Sequence, residues 1–211
     1  MEEKVMTTKE KILITSLRLF SEKGYNGVSM REIASAVGIK GASIYSHYKG
    51  KQDIFEGIFE ELEKRYEKQA MELKIPKEPG IEASNFFKGL DEENLLTMSK
   101  SLFDVFVKDE FIVMFRKLLV SEQHKNEMAA KFLKSYYLES PIEYQTHIFE
   151  KMQQMGAFEG YDSSVMALHF YSPIYYLICT YDLGADYNEC VTKLREHVIS
   201  FCKIYNKNKL F

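Results

Sequence analysis

SMREIASAVGIKGASIYSHYKGK, residues 29–51, is the stretch that decides how this chain folds. Ser29 and Glu32 form a Ser-x-x-Glu pair, a helix-start signal in which each side chain serves an otherwise unpaired backbone amide of the other residue. Met30, Ile33, Ala34 and Val37 follow at i, i+3, i+4 and i+7, so this short helix buries one stripe. Gly38 ends it, because so tight a turn needs a residue free to take positive φ. Ile39 packs inward, and a second helix begins at Gly41 or Ala42, carrying Ser43, Ile44, Tyr45, His47 and Tyr48. Gly50 breaks it. Two short helices about a three-residue turn containing Gly make a helix-turn-helix. Polar, aromatic and basic residues gather on and just after the second helix, which suits a DNA major groove better than an active site.

On the N-terminal side, Thr8 or Thr7 caps a helix running to about Lys23, with Ile12, Leu13, Leu17 and Phe20 on its apolar face. Gly24 sits where a left-handed cap is wanted, and Tyr25-Asn26-Gly27 is turn chemistry. On the C-terminal side, Lys51 to about Leu73 forms a long helix striped by Phe55, Ile58, Phe59, Leu62 and Tyr66, spanning roughly 30 Å at ~1.5 Å per residue. Pro76, Pro79 and Gly80 make 74–80 a candidate boundary. Helices are then expected at about 81–88, 92–108, 110–122, 126–137, 142–155, 163–183 and 187–206, with Pro173 inside the penultimate one.

Charge divides along the chain. Residues 1–51 hold 9 Lys and Arg against 5 Asp and Glu, while the remainder holds 19 against 26. A basic head on an acidic body fits a DNA reader with a separate body. Cys179, Cys190 and Cys202 are an odd set with no CxxC spacing, which fits a reducing compartment. The N-terminus lacks the apolar core of a signal peptide, and the apolar run near residues 167–181 is short for a bilayer, so a cytoplasmic location is expected. His124, His147, His169 and His197 are scattered over different helices and suggest no metal site. With no Gly-rich phosphate loop, nucleophile elbow or HExxH, neither catalysis nor a cofactor is expected.

The apolar helix ending Ser21-Glu22-Lys23-Gly24-Tyr25, then Ser29-Met30-Arg31-Glu32-Ile33-Ala34, Val37-Gly38-Ile39, Ser43-Ile44-Tyr45, His47-Tyr48-Lys49 and Lys51 together resemble the TetR family of bacterial transcriptional regulators. The resemblance covers Thr7–Phe59. It implies an all-α fold: a helix-turn-helix DNA-binding domain at 1–50, then a helical ligand-binding and dimerisation domain at 51–211 whose segment 51–73 is the connecting helix. One departure is visible. Where family members often read Ser-Lys-Gly before the recognition helix, this chain has Lys40, Gly41 and Ala42.

Duplex DNA is a dense line of phosphates, so cationic side chains and backbone amides position the protein and groove-facing side chains read bases. Lys40 can reach phosphate or a guanine edge. Lys49 and Lys51 flank the start of the long helix, where the dipole also favours an anion. Ser29 can offer its backbone amide, and Arg31 can reach either phosphate or base. Ser43, Tyr45, Ser46 and His47 are the base-reading candidates. The resemblance implies backbone contacts for Tyr45, Tyr48 and Lys51; Tyr48 also reads as a core residue with only its hydroxyl exposed.

The body is rich in Phe, Tyr and Met. Phe103, Phe106, Phe111, Met114, Phe115, Tyr144, His147, Phe170, Tyr171 and Tyr175 are candidates to line a cavity for a small apolar or aromatic effector, although such stripes are more often plain core. Two seams have alternating three- and four-residue spacing: Val165, His169, Ser172, Tyr176, Cys179 and Leu183, then Val191, Leu194, Val198, Phe201 and Tyr205. Such spacing suits nearly parallel helices meeting across the two-fold axis of a homodimer, or packing within one domain. The expectation is a dimeric, ligand-responsive repressor on a pseudo-palindromic operator. The rivals are a regulator whose body only dimerises or recruits a protein, and a helical enzyme or lipid-binding protein with an incidental basic patch.

Overall fold

The computed structural model describes residues 6–72, 92–156, 158 and 160–205; the helix expected at 81–88 lies outside these. Every regular element among them is helical: α1 (Thr8–Lys23), α2 (Met30–Val37), a 3₁₀ turn (Ser43–Ser46), α3 (Lys51–Glu72), α4 (Glu92–Lys108), α5 (Glu110–Glu122), α6 (Glu127–Leu133), a π-helical segment (Lys134–Glu139), α7 (Ser140–Gln154), α8 (Ser163–Asp182) and α9 (Tyr187–Tyr205). The expected all-α class is therefore the observed one, and no described helix is long and apolar enough to cross a membrane.

The chain packs as two compact units, residues 1–74 with 110–133 and residues 75–109 with 134–211. Packing thus groups α3, α5 and α6 with the N-terminal helices, whereas the functional division expected from the sequence falls between residues 50 and 51.

The core of the first unit is built from the stripe that the sequence shows. Ile12, Leu17 and Phe20 of α1, Ile33 of α2, Ile44 of the 3₁₀ turn and Ile54, Phe55, Ile58 and Leu62 of α3 are fully buried. Thr7 caps α1 in a capping box with Glu10. Aromatic rings run through this unit edge to face: Phe20 on Phe55, Phe55 on Phe59, and Phe59 on Phe115 of α5.

In the second unit α8 packs against α7 and α9, and α4 packs against both α8 and α9. Phe149, Phe158, Phe170 and Phe201 form one aromatic cluster. The α4–α9 contact is pinned at Asp104, which accepts a 2.6 Å hydrogen bond from the Tyr187 hydroxyl and pairs with Lys100 and Lys108. Burial pushes the Asp104 carboxyl up, but the donors from Lys100, Tyr187 and Lys108 outweigh it and hold it below the usual carboxylate range. The sequence suggests a break at Ser140-Pro141. The structure instead carries the helix into π geometry over Lys134–Glu139 and restarts it with Pro141 in the first turn of α7, where the missing N–H costs nothing.

Candidate nucleic-acid interface

The helix-turn-helix is held at both ends of α2 by local hydrogen bonds. Ser29 Oγ accepts from the Glu32 amide at 3.2 Å, and Glu32 Oε2 accepts from the Ser29 amide at 2.8 Å. These Ser29 bonds, with Lys23 3.5 Å away, hold the Glu32 carboxyl below its ordinary range. Gly38 takes a left-handed conformation (φ 81°) and closes the C-terminus of α2, its amide donating to the Ala34 and Ser35 carbonyls.

The second element departs from expectation. Instead of an α-helix from residue 41 or 42 to 48, the chain makes a single 3₁₀ turn, Ser43–Ser46. Gly41 and the serines at 43 and 46 favour this tight form, and the Ser46 hydroxyl donates to the Ser43 carbonyl at 2.8 Å, competing with continued helix hydrogen bonding. Ile44 is buried beneath the turn, which fixes its orientation.

This arrangement leaves a set of polar side chains exposed along residues 29–49. A groove of about 450 Å³ runs between α2 and the 3₁₀ turn, lined by Met30, Arg31, Ala34, Ser35, Ile39, Gly41 and Tyr45. Tyr45 stands 57% exposed at its edge. Lys40, Ser43, Ser46 and Lys49 are exposed, His47 is half-buried, and Ser29 is exposed at the start of α2. The structure therefore gathers Arg31 and Tyr45 at one groove and leaves Lys40 and Lys49 open to solvent on the same segment.

Two of the expected contact residues face inward. The Tyr48 ring is buried between α1 and α3, with its hydroxyl 3.5 Å from the Lys9 carbonyl and Lys9 Nζ 5.3 Å from the ring centre. Burial, reinforced by Asp53, Glu60 and Glu61, pushes its phenol up to about 12, so it stays a neutral donor. Lys51 donates from Nζ to the Tyr25 carbonyl at 2.7 Å and the Val28 carbonyl at 2.9 Å, and sits 4.3 Å from the centre of the Tyr25 ring. Only one of its three ammonium protons is left for a phosphate.

The candidate effector residues divide between the units. Phe111, Met114 and Phe115 lie on α5 in the first, where Phe111 stacks on Phe115 and carries the Arg65 guanidinium 4.3 Å from its ring centre. The others lie in the second. Of these, Tyr144 and His147 are exposed, the latter 3.2 Å from Glu150. Phe103 is buried against Tyr181 and Tyr187, and Phe170 is part of the Phe149 cluster. Phe106, Tyr171 and Tyr175 do cluster, around Tyr137 of the π segment, whose carbonyl accepts from the Tyr171 hydroxyl at 3.0 Å. Tyr137 carries no spacing signal in the sequence; it is the π turn that aims it inward.

The two seams have different fates. On α8, Val165 and Leu168 are each 55% exposed, Tyr176 63% and Leu183 88%, with His169 and Ser172 also exposed and Cys179 half-buried. On α9, Leu194, Val198, Phe201 and Tyr205 are buried and Val191 is half-buried. The α9 half of the expected interface is thus subunit core. Seven-residue spacing marks a helix that packs along its length against another, without saying whether that other belongs to the same chain.

Among the described residues, no three His, Cys, Asp or Glu side chains are grouped to hold a metal. Fold and site together define a helical protein of the helix-turn-helix class. Residues 12–58 match the family of bacterial regulatory proteins designated tetR. Over 47 residues it is 47% identical to the biofilm operon icaADBC HTH-type negative transcriptional regulator IcaR of Staphylococcus epidermidis, an overlap of 22% of this chain and 25% of that protein. The chain thus matches about a quarter of the length of its curated relatives. Over nearly the whole chain the fold is similar to a candidate transcriptional regulator from Saccharomonospora viridis in complex with choline (TM-score 0.65, 20% identity, covering 92% of this chain and 95% of that one). It is also similar to the complex of triclosan with SmeT, the repressor of the Stenotrophomonas maltophilia multidrug efflux pump SmeDEF (TM-score 0.68, 15% identity, 98% and 95% covered). At these identities the likeness concerns the fold.

Proposed function

We propose that this chain is a homodimeric transcriptional repressor that binds a pseudo-palindromic operator through residues 29–51 and releases it when the body, residues 51–211, takes up a small apolar or aromatic molecule. The observation that carries the DNA-binding part is the groove bordered by Arg31 and Tyr45, with Lys40, Ser43, Ser46 and Lys49 exposed on the same short stretch of chain. Lys40 and Lys49 serve phosphates, and Arg31, Ser43, Tyr45, Ser46 and His47 face base edges. Tyr48 and Lys51 support this surface from behind.

Two copies supply the two half-sites. The exposed apolar face of α8 supports dimerisation, since Val165, Leu168, Tyr176 and Leu183 would otherwise remain in water. The two recognition turns then need to meet successive major grooves, about 34–36 Å apart. The choline- and triclosan-bound relatives of this fold support a small-molecule effector, and the Phe106, Tyr137, Tyr171 and Tyr175 cluster is its aromatic contact region. To move the population from mostly DNA-competent to mostly released, the effector must favour the released state by about 5.5 kcal/mol. Repression is favoured over activation by the IcaR relatives, which are named as negative regulators.

The test is selection of bound duplexes from a random-sequence pool by the full chain. An enriched inverted repeat with half-sites one helical turn apart supports the reading. Recovery of no motif, with equal retention of any duplex of the same length, overturns it.

A further inference from the structure

Tyr25 is held from three directions within the first unit. Its amide donates to Glu122 Oε1 of α5 at 3.0 Å, its carbonyl accepts from Lys51 Nζ at 2.7 Å, and its hydroxyl donates to Gln52 at 3.1 Å. Its ring lies against Phe20 at 5.3 Å and Phe55 at 4.8 Å. Glu122 is 4% exposed, ends α5 and is separated from Tyr25 by 97 residues of sequence. A carboxylate buried to this degree carries a desolvation cost, and its hydrogen bond to the Tyr25 amide is charge-assisted.

The contact demands a particular neighbour. Gly24 has φ +72°, and a Cβ placed on it would come 2.8 Å from Glu122 Oε1. The absence of a side chain at 24 therefore lets the carboxylate reach the next amide. What the contact fixes is the link into the helix-turn-helix: Tyr25 is followed by Val28, whose carbonyl also binds Lys51, and then by Ser29, the cap of α2. The turn between α1 and α2 is clamped by α5 on one side and by α3 on the other.

We propose that Glu122 is a positioning residue for DNA recognition: by accepting from the Tyr25 amide, it ties α5 to the α1–α2 turn and sets the angle at which α2 and the Ser43–Ser46 turn are presented. The proposal rests on the DNA-binding reading above. Glu122 does not itself approach DNA, and its negative charge would oppose doing so. It acts through backbone geometry, so an isosteric acceptor replaces it and a shortened one does not.

The test uses the full chain and the duplex it enriches from a random pool, with variants Glu122→Gln and Glu122→Asp. Glutamine keeps an acceptor oxygen at the same reach; aspartate keeps the charge but withdraws it by one methylene. The expected result is affinity within about 2-fold of the unmodified chain for Gln and a loss of roughly 3- to 30-fold for Asp, with the slope of log affinity against log salt unchanged in both. Equal affinity for both variants, or a slope that changes, overturns the proposal. Amide hydrogen exchange on the unmodified chain is an independent check: the Tyr25 amide is expected to exchange as slowly as the α1 interior, and exchange at the rate of the exposed turn residues Asn26 and Gly27 refutes the tether even if a variant fails to fold. If no duplex is enriched, it is the DNA-binding reading that has failed.

Discussion

Replacing Lys51 with methionine separates a supporting lysine from a phosphate-binding one. Methionine keeps the apolar stem but removes both hydrogen bonds, to the Tyr25 carbonyl (2.7 Å) and the Val28 carbonyl (2.9 Å), and the cation above the Tyr25 ring. A hydrogen bond to a charged group contributes about 1.5–3 kcal/mol when enclosed, but Lys51 is half-buried and water partly replaces what is lost. The cation–ring contact adds about 0.5–1 kcal/mol. A net destabilisation of about 2 kcal/mol follows, which in a chain of this size lowers the melting temperature by roughly 4–8 °C. The DNA measurement reads differently. Each phosphate neutralised contributes about −0.9 to the slope of log affinity against log salt, so a phosphate-binding Lys51 would make that slope shallower by about 0.9 on substitution. We expect the slope of Lys51→Met to match that of the unmodified chain and the slope of Lys40→Ala to be shallower by about 0.9. Thermal unfolding by circular dichroism and a salt titration by fluorescence anisotropy on the selected duplex check both parts. An unchanged melting temperature together with a shallower slope for Lys51→Met would refute the supporting role.

Two further outcomes can be checked without DNA. Tyr176→Glu places a charge at the centre of the exposed α8 face and, on the dimer proposed above, should give a monomer by analytical ultracentrifugation without loss of helicity; a variant that sediments as a dimer would remove α8 from the proposed interface. Acid should weaken the fold through its caps. Glu32, lowered by its Ser29 bonds and by Lys23, and Asp162, lowered by the Ser164 hydroxyl and the Val165 and Ser164 amides, contribute stability that is full above the ordinary carboxylate range and is lost as pH falls through their lower folded values. His197, lowered mainly by burial, adds stability that is lost as pH falls from the ordinary histidine range through its lower folded value. A urea midpoint that stays constant from neutral pH to below the ordinary carboxylate range would contradict these assignments.

The head of the molecule was legible because its signals are local. A capping box needs only residues three apart, and Ser29 with Glu32 forms one at the predicted place. Gly38 is left-handed because no other residue takes that conformation without cost, and the apolar residues of α1 and α3 face inward because their spacing matches the helical period. The Ser43–Ser46 segment reads as α from its sequence and forms a 3₁₀ turn, since the balance between those forms depends on hydrogen bonds as small as that from Ser46 to the Ser43 carbonyl.

Side-chain direction was harder to read, because a lysine stem or a tyrosine ring suits an exposed or an enclosed position equally well until its neighbours are known. Tyr48 and Lys51 have the composition of DNA contacts, yet α1 and the 25–28 turn supply the surfaces that take them up. Glu122 carried no signal, since its partner is an amide 97 residues away. The α9 stripe looked like an interface and is core, whereas α8 keeps its face open. The sequence alone, then, determined the all-helical class, the capping of α2 and the place of the helix-turn-helix, all of which follow from interactions across a few residues. Only the tertiary structure decided which of the two seams is exposed, which cations remain available, and that α5 reaches the recognition head, because these depend on which distant surfaces close over a side chain, and periodicity along one helix does not encode that.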